Sequence, residues 1–453
     1  MRAEKSVLAC GVMLVVAFGP GVAGAQEEAR GMTLPRAIEI ALEKSPLLQT
    51  ARHRVGAAVA GVDRARAGFL PKLNLSESFT RSDDPAFVFS SKLSQGRFAQ
   101  DDFQIGRLND PSAMTNFRTI LALSQPLYTG GKVSIGFEQA KLNREASAQG
   151  LDRTRQEVVF HVARAYDGVL LAQTDLEVAT AAIQAAEANR DLASIRFETG
   201  LVVESDLLSA DVRLARLQEQ AITARNTLTL AKAALNDVMG FPLDQPFDVT
   251  DRLTQRATRS QELTELERLA LERRPDYRRL GFEEGALNRG IGLAQAEFLP
   301  TVGATASYEL NHLKFAADGR DSWFVGVAFQ WNLFNGLEDR AKVAEAQAHF
   351  SEIQAVRTRM ASRIRLETKE AFLALKTAEA RIGVAQRAVG QAEEALRIVK
   401  DRYEAGLTTI VDLVASEAAL TQSRGNLAQA LYDHNVGLAA LELAVGTIGK
   451  ESF

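Results

Sequence analysis

Hydrophobic positions in this chain follow two rules in alternation, a helical spacing over very long stretches and a period of two over short ones. Leu375, Ala378, Ile382, Ala385, Val389, Ala392, Leu396, Val399 and Tyr403 recur at steps of three and four, the seam of a coiled coil. Shifted back by 206 residues, the seam reads Val169, Ala172, Leu176, Ala179, Ile183, Ala186, Arg190, Ala193 and Phe197. Large and small residues alternate in both copies, so helices approach closely at alanine while a larger side chain fills the hole opposite. Only Arg190 departs, as a side chain whose stem packs and whose head reaches water. After a break the pattern resumes from Leu207, Ala210 and Leu214 to Leu235 and Val238. No proline falls between Pro126 and Pro242, and none follows Pro300, so nothing interrupts a helix in either region. A helix from about Lys132 to Phe197 would be roughly 100 Å long at ~1.5 Å per residue. Each half of the chain is therefore predicted to hold one very long helical hairpin.

Period two governs four other segments. "WFVGVAFQWNL" sets Trp323, Val325, Val327, Phe329, Trp331 and Leu333 against Phe324, Gly326, Ala328, Gln330 and Asn332. "TVGATASYEL" sets Val302, Ala304, Ala306, Tyr308 and Leu310 against Thr301, Gly303, Thr305, Ser307 and Glu309. "FRTILALSQPL" and "KLNLSESF" alternate in the same way. Four strands are predicted, with Trp323 and Trp331 on one face roughly 26 Å apart. That spacing suits aromatic girdles at the two edges of an outer-membrane barrel, and packing onto a soluble core would account for it too.

The chain is written twice. "ALEKSP" at Ala41–Pro46 matches "ALERRP" at Ala270–Pro275, and "AGFLP" ending at Pro71 matches "AEFLP" ending at Pro300, both 229 residues apart. "PLYTGG" from Pro126 matches "NLFNGL" from Asn332, and "ALNDVMG" ending at Gly240 matches "ALELAVG" ending at Gly446, both 206 apart. The first copy thus carries 23 extra residues between Pro71 and Pro126, expected to enlarge a loop or extend its strands. A period this long is a duplicated domain rather than a solenoid of short repeats. The reading divides the chain into a leader at 1–25, a first repeat at 26–240 and a second at 241–453. Within the first, a strand pair spans about 72–128 and a hairpin about 132–239. Within the second, a strand pair spans about 301–334 and a hairpin about 337–445.

Composition narrows the setting. Arg2 and Lys5, an apolar run from Val7 to Phe18, and Ala23-Gly24-Ala25 read as a secretory leader. Cys10, the only cysteine, precedes most of that run and makes a poor lipidation site. With cleavage near Gln26 the exported chain would hold no thiol. Hydrophobic residues make up 46% and charged residues 24%, and no stretch beyond the leader reaches the ~18 consecutive apolar residues a spanning helix needs. An exported chain that crosses a membrane must then do so as a β-barrel. Four strands are too few for one, since the smallest have about eight, so copies of the chain must pool theirs. A net charge of -4 without a basic block gives no reason to expect nucleic acid. His53, His161, His312, His349 and His434 are scattered singly without metal-ligand spacing, and no phosphate-binding loop or nucleophile elbow appears. No cofactor, metal or catalytic residue is expected, and His434 is expected to be packed or at an interface.

The turn between the helices of each hairpin is also duplicated: "RFETGLVVESDLLSA" from Arg196 and "RYEAGLTTIVDLVAS" from Arg402. Each ends a helix with a glycine suited to left-handed backbone and starts the next with Ser205 and Asp206, or with Asp412. With this element order, "FLP" before the odd strands, "PLYTGG" and "NLFNG" after the even ones, and paired turns at Gly200 and Gly406, the sequence resembles the TolC-type outer-membrane efflux protein family from about Leu34 to Gly446. The resemblance implies a mainly helical chain with membrane β-structure. Three copies would form a trimer with a 12-stranded β-barrel in the outer membrane and a 12-helix α-barrel in the periplasm. It would be a passive exit duct of a tripartite efflux or type I secretion system, facing outer-membrane lipid. Its partners would be a periplasmic adaptor and an inner-membrane pump of RND, ABC or MFS type. A periplasmic coiled-coil adaptor or structural protein without a pore is the alternative reading.

The resemblance further implies that the hairpin tips meet the adaptor through Gly200, Leu201 and Val202, and through Gly406, Leu407 and Thr408. It implies that Tyr403 gates the pore by bonding Asp206, with Ser205 as the hydroxyl beside it, and that Asp412 rings the constriction. Thr408 stands where the best-studied members carry arginine, and Ala415 replaces a second aspartate, which predicts a gate less tightly tied and less acidic. Helix N-terminal capping explains both aspartates as well, and seam packing explains Tyr403.

Overall fold

In the computed structural model, residues 31–258, 261–315 and 319–452 are described; the predicted leader at 1–25, with Cys10, and the predicted start at Gln26 lie outside them. The second half reproduces the helices of the first. α1 (Leu34–Lys44) and α2 (Pro46–Arg66) precede the first strand pair, as α7 (Leu263–Arg273) and α8 (Pro275–Gln295) precede the second. Each pair is split by an X-Pro step that ends one helix and opens the next with proline at its first position. The hairpins are α5 (Lys132–Glu198) with α6 (Glu204–Met239), and α9 (Glu338–Glu404) with α10 (Ile410–Val445). α5 and α9 are 67 residues each, α6 and α10 36 each.

The seams account for these lengths. Leu375, Ala378, Ile382, Ala385 and Tyr403 are buried along α9, and Val169, Ala172, Ala186 and Ala193 along α5. Arg190 keeps its head at the surface, where it bonds Asp211 of α6 at 3.1 Å. A wider apolar core gathers Ile38 and Leu48 of the short N-terminal helices against Val162, Tyr166, Leu235 and Met239.

β1 (Lys72–Ser82), β2 (Met114–Tyr128), β3 (Thr301–His312) and β4 (Arg320–Gln330) make one antiparallel sheet in that order. Between β1 and β2 lie two short helices, α3 (Pro85–Ser94) and α4 (Ile105–Asn109). The extra residues of the first repeat thus form helices rather than longer strands. β4 ends at Gln330, so Trp331 and Leu333 lie just past the strand on which the alternation had placed them. The register aligns Leu73, Leu123, Ala306 and Val325 in one row, and Leu75, Leu121, Tyr308 and Trp323 in the next. These rows are apolar, and Leu73, Leu75, Val325, Val327 and Phe329 are each about two-thirds exposed or more. The next row outward is polar: Glu77 accepts from the Thr119 hydroxyl, and Asp321 accepts from the Tyr308 hydroxyl at 3.1 Å. The opposite face carries Ser76, Ser78, Arg118, Ser307, Glu309 and Ser322, with Arg118 gripping Glu309 at 2.8 and 2.6 Å.

The segment joining the two halves is strapped to the hairpins. Arg256 forks onto Asp167 of α5 at 2.9 and 2.6 Å, and its backbone N–H donates to Asn435 of α10. Asn435 in turn donates to the Thr254 carbonyl. His434 beside it is fully buried, as the heptads require. Burial pushes the Asp167 carboxyl up to about 6 although Arg256 pulls the other way. Between about pH 4 and 6 the folded chain therefore holds a proton the unfolded chain has released, and Asp167 contributes less to stability as pH rises through that window. Asp167→Asn removes this titration. The melting difference between wild type and variant is expected to move toward wild type by about 2–3 kcal/mol between pH 7 and pH 4; a difference flat with pH would contradict it.

Candidate functional site

The hairpin tips are built alike and finished differently. Both long helices end in a Schellman turn: Leu201 N–H reaches the Arg196 carbonyl at 2.8 Å and Leu407 N–H the Arg402 carbonyl at 2.8 Å. Gly200 and Gly406, at φ of +74° and +73°, supply the left-handed residue this motif needs. The outgoing helices differ. Thr409 caps α10: its hydroxyl accepts from Asp412 N–H at 3.4 Å while the Asp412 carboxylate accepts from Thr409 N–H at 3.3 Å, a capping box. Thr408 adds its hydroxyl to the same carboxylate at 2.5 Å. At the matching position before α6 stands Val203, which has no side-chain cap. Ser205 and Asp206 therefore lie inside the first turn of α6 rather than capping it.

The bond from Thr408, then those from Thr409, hold the Asp412 carboxyl below the usual carboxylate range, so it is charged at neutral pH and exposed. A lowered folded pKa means that its stabilisation is complete above the ordinary carboxylate pKa and lost as pH falls through the folded value. Thr409→Ala is expected to cost about 1 kcal/mol, read as faster amide exchange at the start of α10 with α6 unchanged; equal exchange in the variant would show the box to be idle.

The two tips are locked together within one chain. Ala193 and Ala210 of the first hairpin form a small core with Tyr403, Ile410 and Leu413 of the second. Arg196 crosses from α5 to the end of α9, donating to the Tyr403 and Glu404 carbonyls at 2.9 Å each and placing its guanidinium 4.6 Å from the centre of the Tyr403 ring. Two turns further in along α5, Asn189 donates to Glu417 of α10. Glu417 is raised above the ordinary range chiefly by burial.

Tyr403 is where the sequence placed it, but its partner differs. Its ring is buried in the inter-hairpin core, and its hydroxyl has no hydrogen-bond partner among the described residues, so no bond to Asp206 is made. The link runs through Arg196, which the sequence reading did not single out. Its signal was present, since arginine stands four residues before the tip glycine in both repeats. Leu201 and Leu407 are exposed beside those glycines, a paired apolar surface at the end of the molecule. At the sheet, Trp323 stands exposed on the apolar face, while the Trp331 indole donates to the Phe298 carbonyl at 3.0 Å. Among the described residues no helix is long and apolar enough to cross a membrane, and no cluster of His, Cys, Asp and Glu could hold a metal.

Comparison with known proteins agrees with this geometry. The family model described as "Outer membrane efflux protein" matches residues 37–241 and 266–447. The chain is 25% identical to the alkaline protease secretion protein AprF of Pseudomonas aeruginosa, over 96% of this chain and 88% of that protein. It is 25% identical to the outer membrane protein TolC of Vibrio cholerae, over 91% and 90%. The fold resembles the crystal structure of the outer membrane protein VceC of Vibrio cholerae with a TM-score of 0.74, at 22% identity, over 91% of this chain and 96% of that one.

Proposed function

The chain belongs to the outer membrane efflux protein family, as an outer-membrane duct with a large periplasmic portion, and from that premise we propose that three copies close one pore whose periplasmic gate is the pair of locked tips. The observation that carries this reading is the sheet. Among the described residues the outer edges of β1 and β4 have no partner strand, one face is mostly apolar and exposed, and the other is polar. Free edges need partners, and an apolar exterior around a polar interior is what a barrel in lipid requires. Three four-stranded sheets give 12 strands, and six hairpins give the 12 helices of the tube below. Trp323 and Trp331 would anchor the two lipid interfaces.

At the far end, Gly200, Leu201 and Val202 with Gly406, Leu407 and Thr408 form the surface for a periplasmic adaptor, and the adaptor's inner-membrane pump supplies the driving force. Tyr403 acts in the gate as the packed ring under Arg196. Three ionised Asp412 carboxylates around the narrow end would favour cations. Sizing of the detergent-extracted chain and single-channel recording in planar bilayers test the reading together. The expected result is a mass of three chains and a conductance that prefers potassium to chloride. A folded monomer without conductance would overturn it in favour of an adaptor or structural role.

A further inference from the structure

Residues 83–113, where the first repeat carries its excess, do not continue the sheet outward. α3 starts on Asp84, whose carboxylate accepts from Phe87 N–H at 2.8 Å, with Pro85 at the first helical position. Its last turn delivers Gln95, which is buried and donates to the Thr115 and His312 carbonyls at 3.0 and 3.2 Å and to the Asn116 side chain at 2.9 Å. Asn116 passes the contact on to Asn311 at 2.8 Å. Asn311 is in register with Arg118 on one side and Arg320 on the other, all on the polar face. Gly96 lies so close to Arg320 that a Cβ would fall 2.9 Å from its Cδ and Nη1. The segment therefore spans the outer ends of β2, β3 and β4 on the polar side of the sheet. It is internally braced by Lys92 with Asp102 at 2.6 Å, and by Phe98 packed 4.9 Å from Phe89 and 5.1 Å from Phe103. Phe89, Leu93, Phe103 and Ile105 are left exposed in the single chain.

On the duct reading, the polar face is the lumen, and we propose that residues 83–113 are a constriction inside the outer mouth that limits the size of what passes there. Three copies hold their apolar side chains over water around one axis, and burying those side chains against each other lowers the free energy of the narrowed state. The hairpin tips would thus be one of two narrow points, and the second would be set by this chain rather than by a partner at the opposite end.

The test is thiol access from outside the cell, which the periplasmic tips do not influence. Ser307 lies on the polar face below the segment, and the sequence's only other cysteine is Cys10 in the predicted leader. Intact cells carrying Ser307→Cys would be treated with a small impermeant maleimide and with one bearing a long polyethylene glycol chain. The small reagent is expected to label the thiol and the bulky one to fail. Replacing residues 84–111 with Gly-Ser-Gly should raise bulky labelling by at least an order of magnitude. If that chain does not assemble, Gln95→Ala with Phe103→Ser should raise it partway. Equal bulky labelling with and without the segment would overturn the constriction and leave the duct. No labelling by either reagent in any variant would put Ser307 outside a water-filled lumen and overturn both.

Discussion

Val325→Arg is expected to abolish the assembled form. Val325 stands exposed in the row formed with Leu73, Leu123 and Ala306, between Trp323 and Trp331. In lipid an arginine costs about 2–4 kcal/mol at the middle of the band and about 0–1 kcal/mol at its edges. Val325, two residues in from Trp323, lies between the two, and a ring of three identical chains bears that intermediate cost three times over. The variant should accumulate as periplasmic monomer, read by membrane fractionation and by loss of the trimer-sized species. Ser307→Lys, one residue from the same row but on the polar face, should assemble as wild type does. Normal trimers from Val325→Arg would show that this face does not meet lipid, and failure of both variants would point to damage to the sheet itself.

Arg196→Ala is expected to raise single-channel conductance several-fold. The substitution removes two hydrogen bonds from a charged donor, about 1.5–3 kcal/mol for such an interaction, and a stacking contact worth about 0.5–2 kcal/mol. It also leaves the carbonyls at the end of α9 without that partner. A loss of 2–3 kcal/mol shifts a closed–open equilibrium by roughly 30- to 150-fold. Arg196→Lys keeps the charge without the fork and should fall between. Tyr403→Phe with Asp206→Ala should leave conductance where it is, because the hydroxyl is unpartnered and the carboxylate does not meet it. A rise in that double variant with none in Arg196→Ala would restore the tyrosine–aspartate gate and exclude the arginine one.

Most of the fold could be read before the structure, because its periodicities are long. A seam of nine positions in α9, repeated in α5, leaves little freedom for another element, and the offsets of 229 and 206 recur in the helix starts. Strand faces were legible for the same reason. What escaped is local. Trp331 continues the alternation by residue type, yet pairing ends at Gln330, and alternation does not say where a ladder stops. α3 and α4 are short, and their apolar residues show no sustained period. Asp84-Pro85 before Phe87 and Val88 was the one clue, a cap and a first-turn proline. At the tips, the family resemblance pointed to Tyr403 with Asp206, Ser205 and Asp412 as the gating groups. The link instead uses backbone carbonyls as acceptors, which every sequence supplies and none advertises.

The sheet order has a consequence in time. β1 and β2 are near neighbours in sequence, but the central pair, β2 with β3, joins Thr119 to Leu310 across the whole first hairpin. Synthesis runs from the N-terminus, so β2 exists for roughly 170 residues of further elongation before its partner does, on the order of ten to thirty seconds at ~5–20 residues per second. Through that interval the half-made sheet presents Leu73, Leu75 and Phe79 and an unsatisfied strand edge. Such a surface invites wrong pairing with any other extended chain. Until β3 arrives, the early half of this molecule has an open edge beside an apolar row and the late half does not, so wrong pairing between unfinished copies is a hazard of the early half.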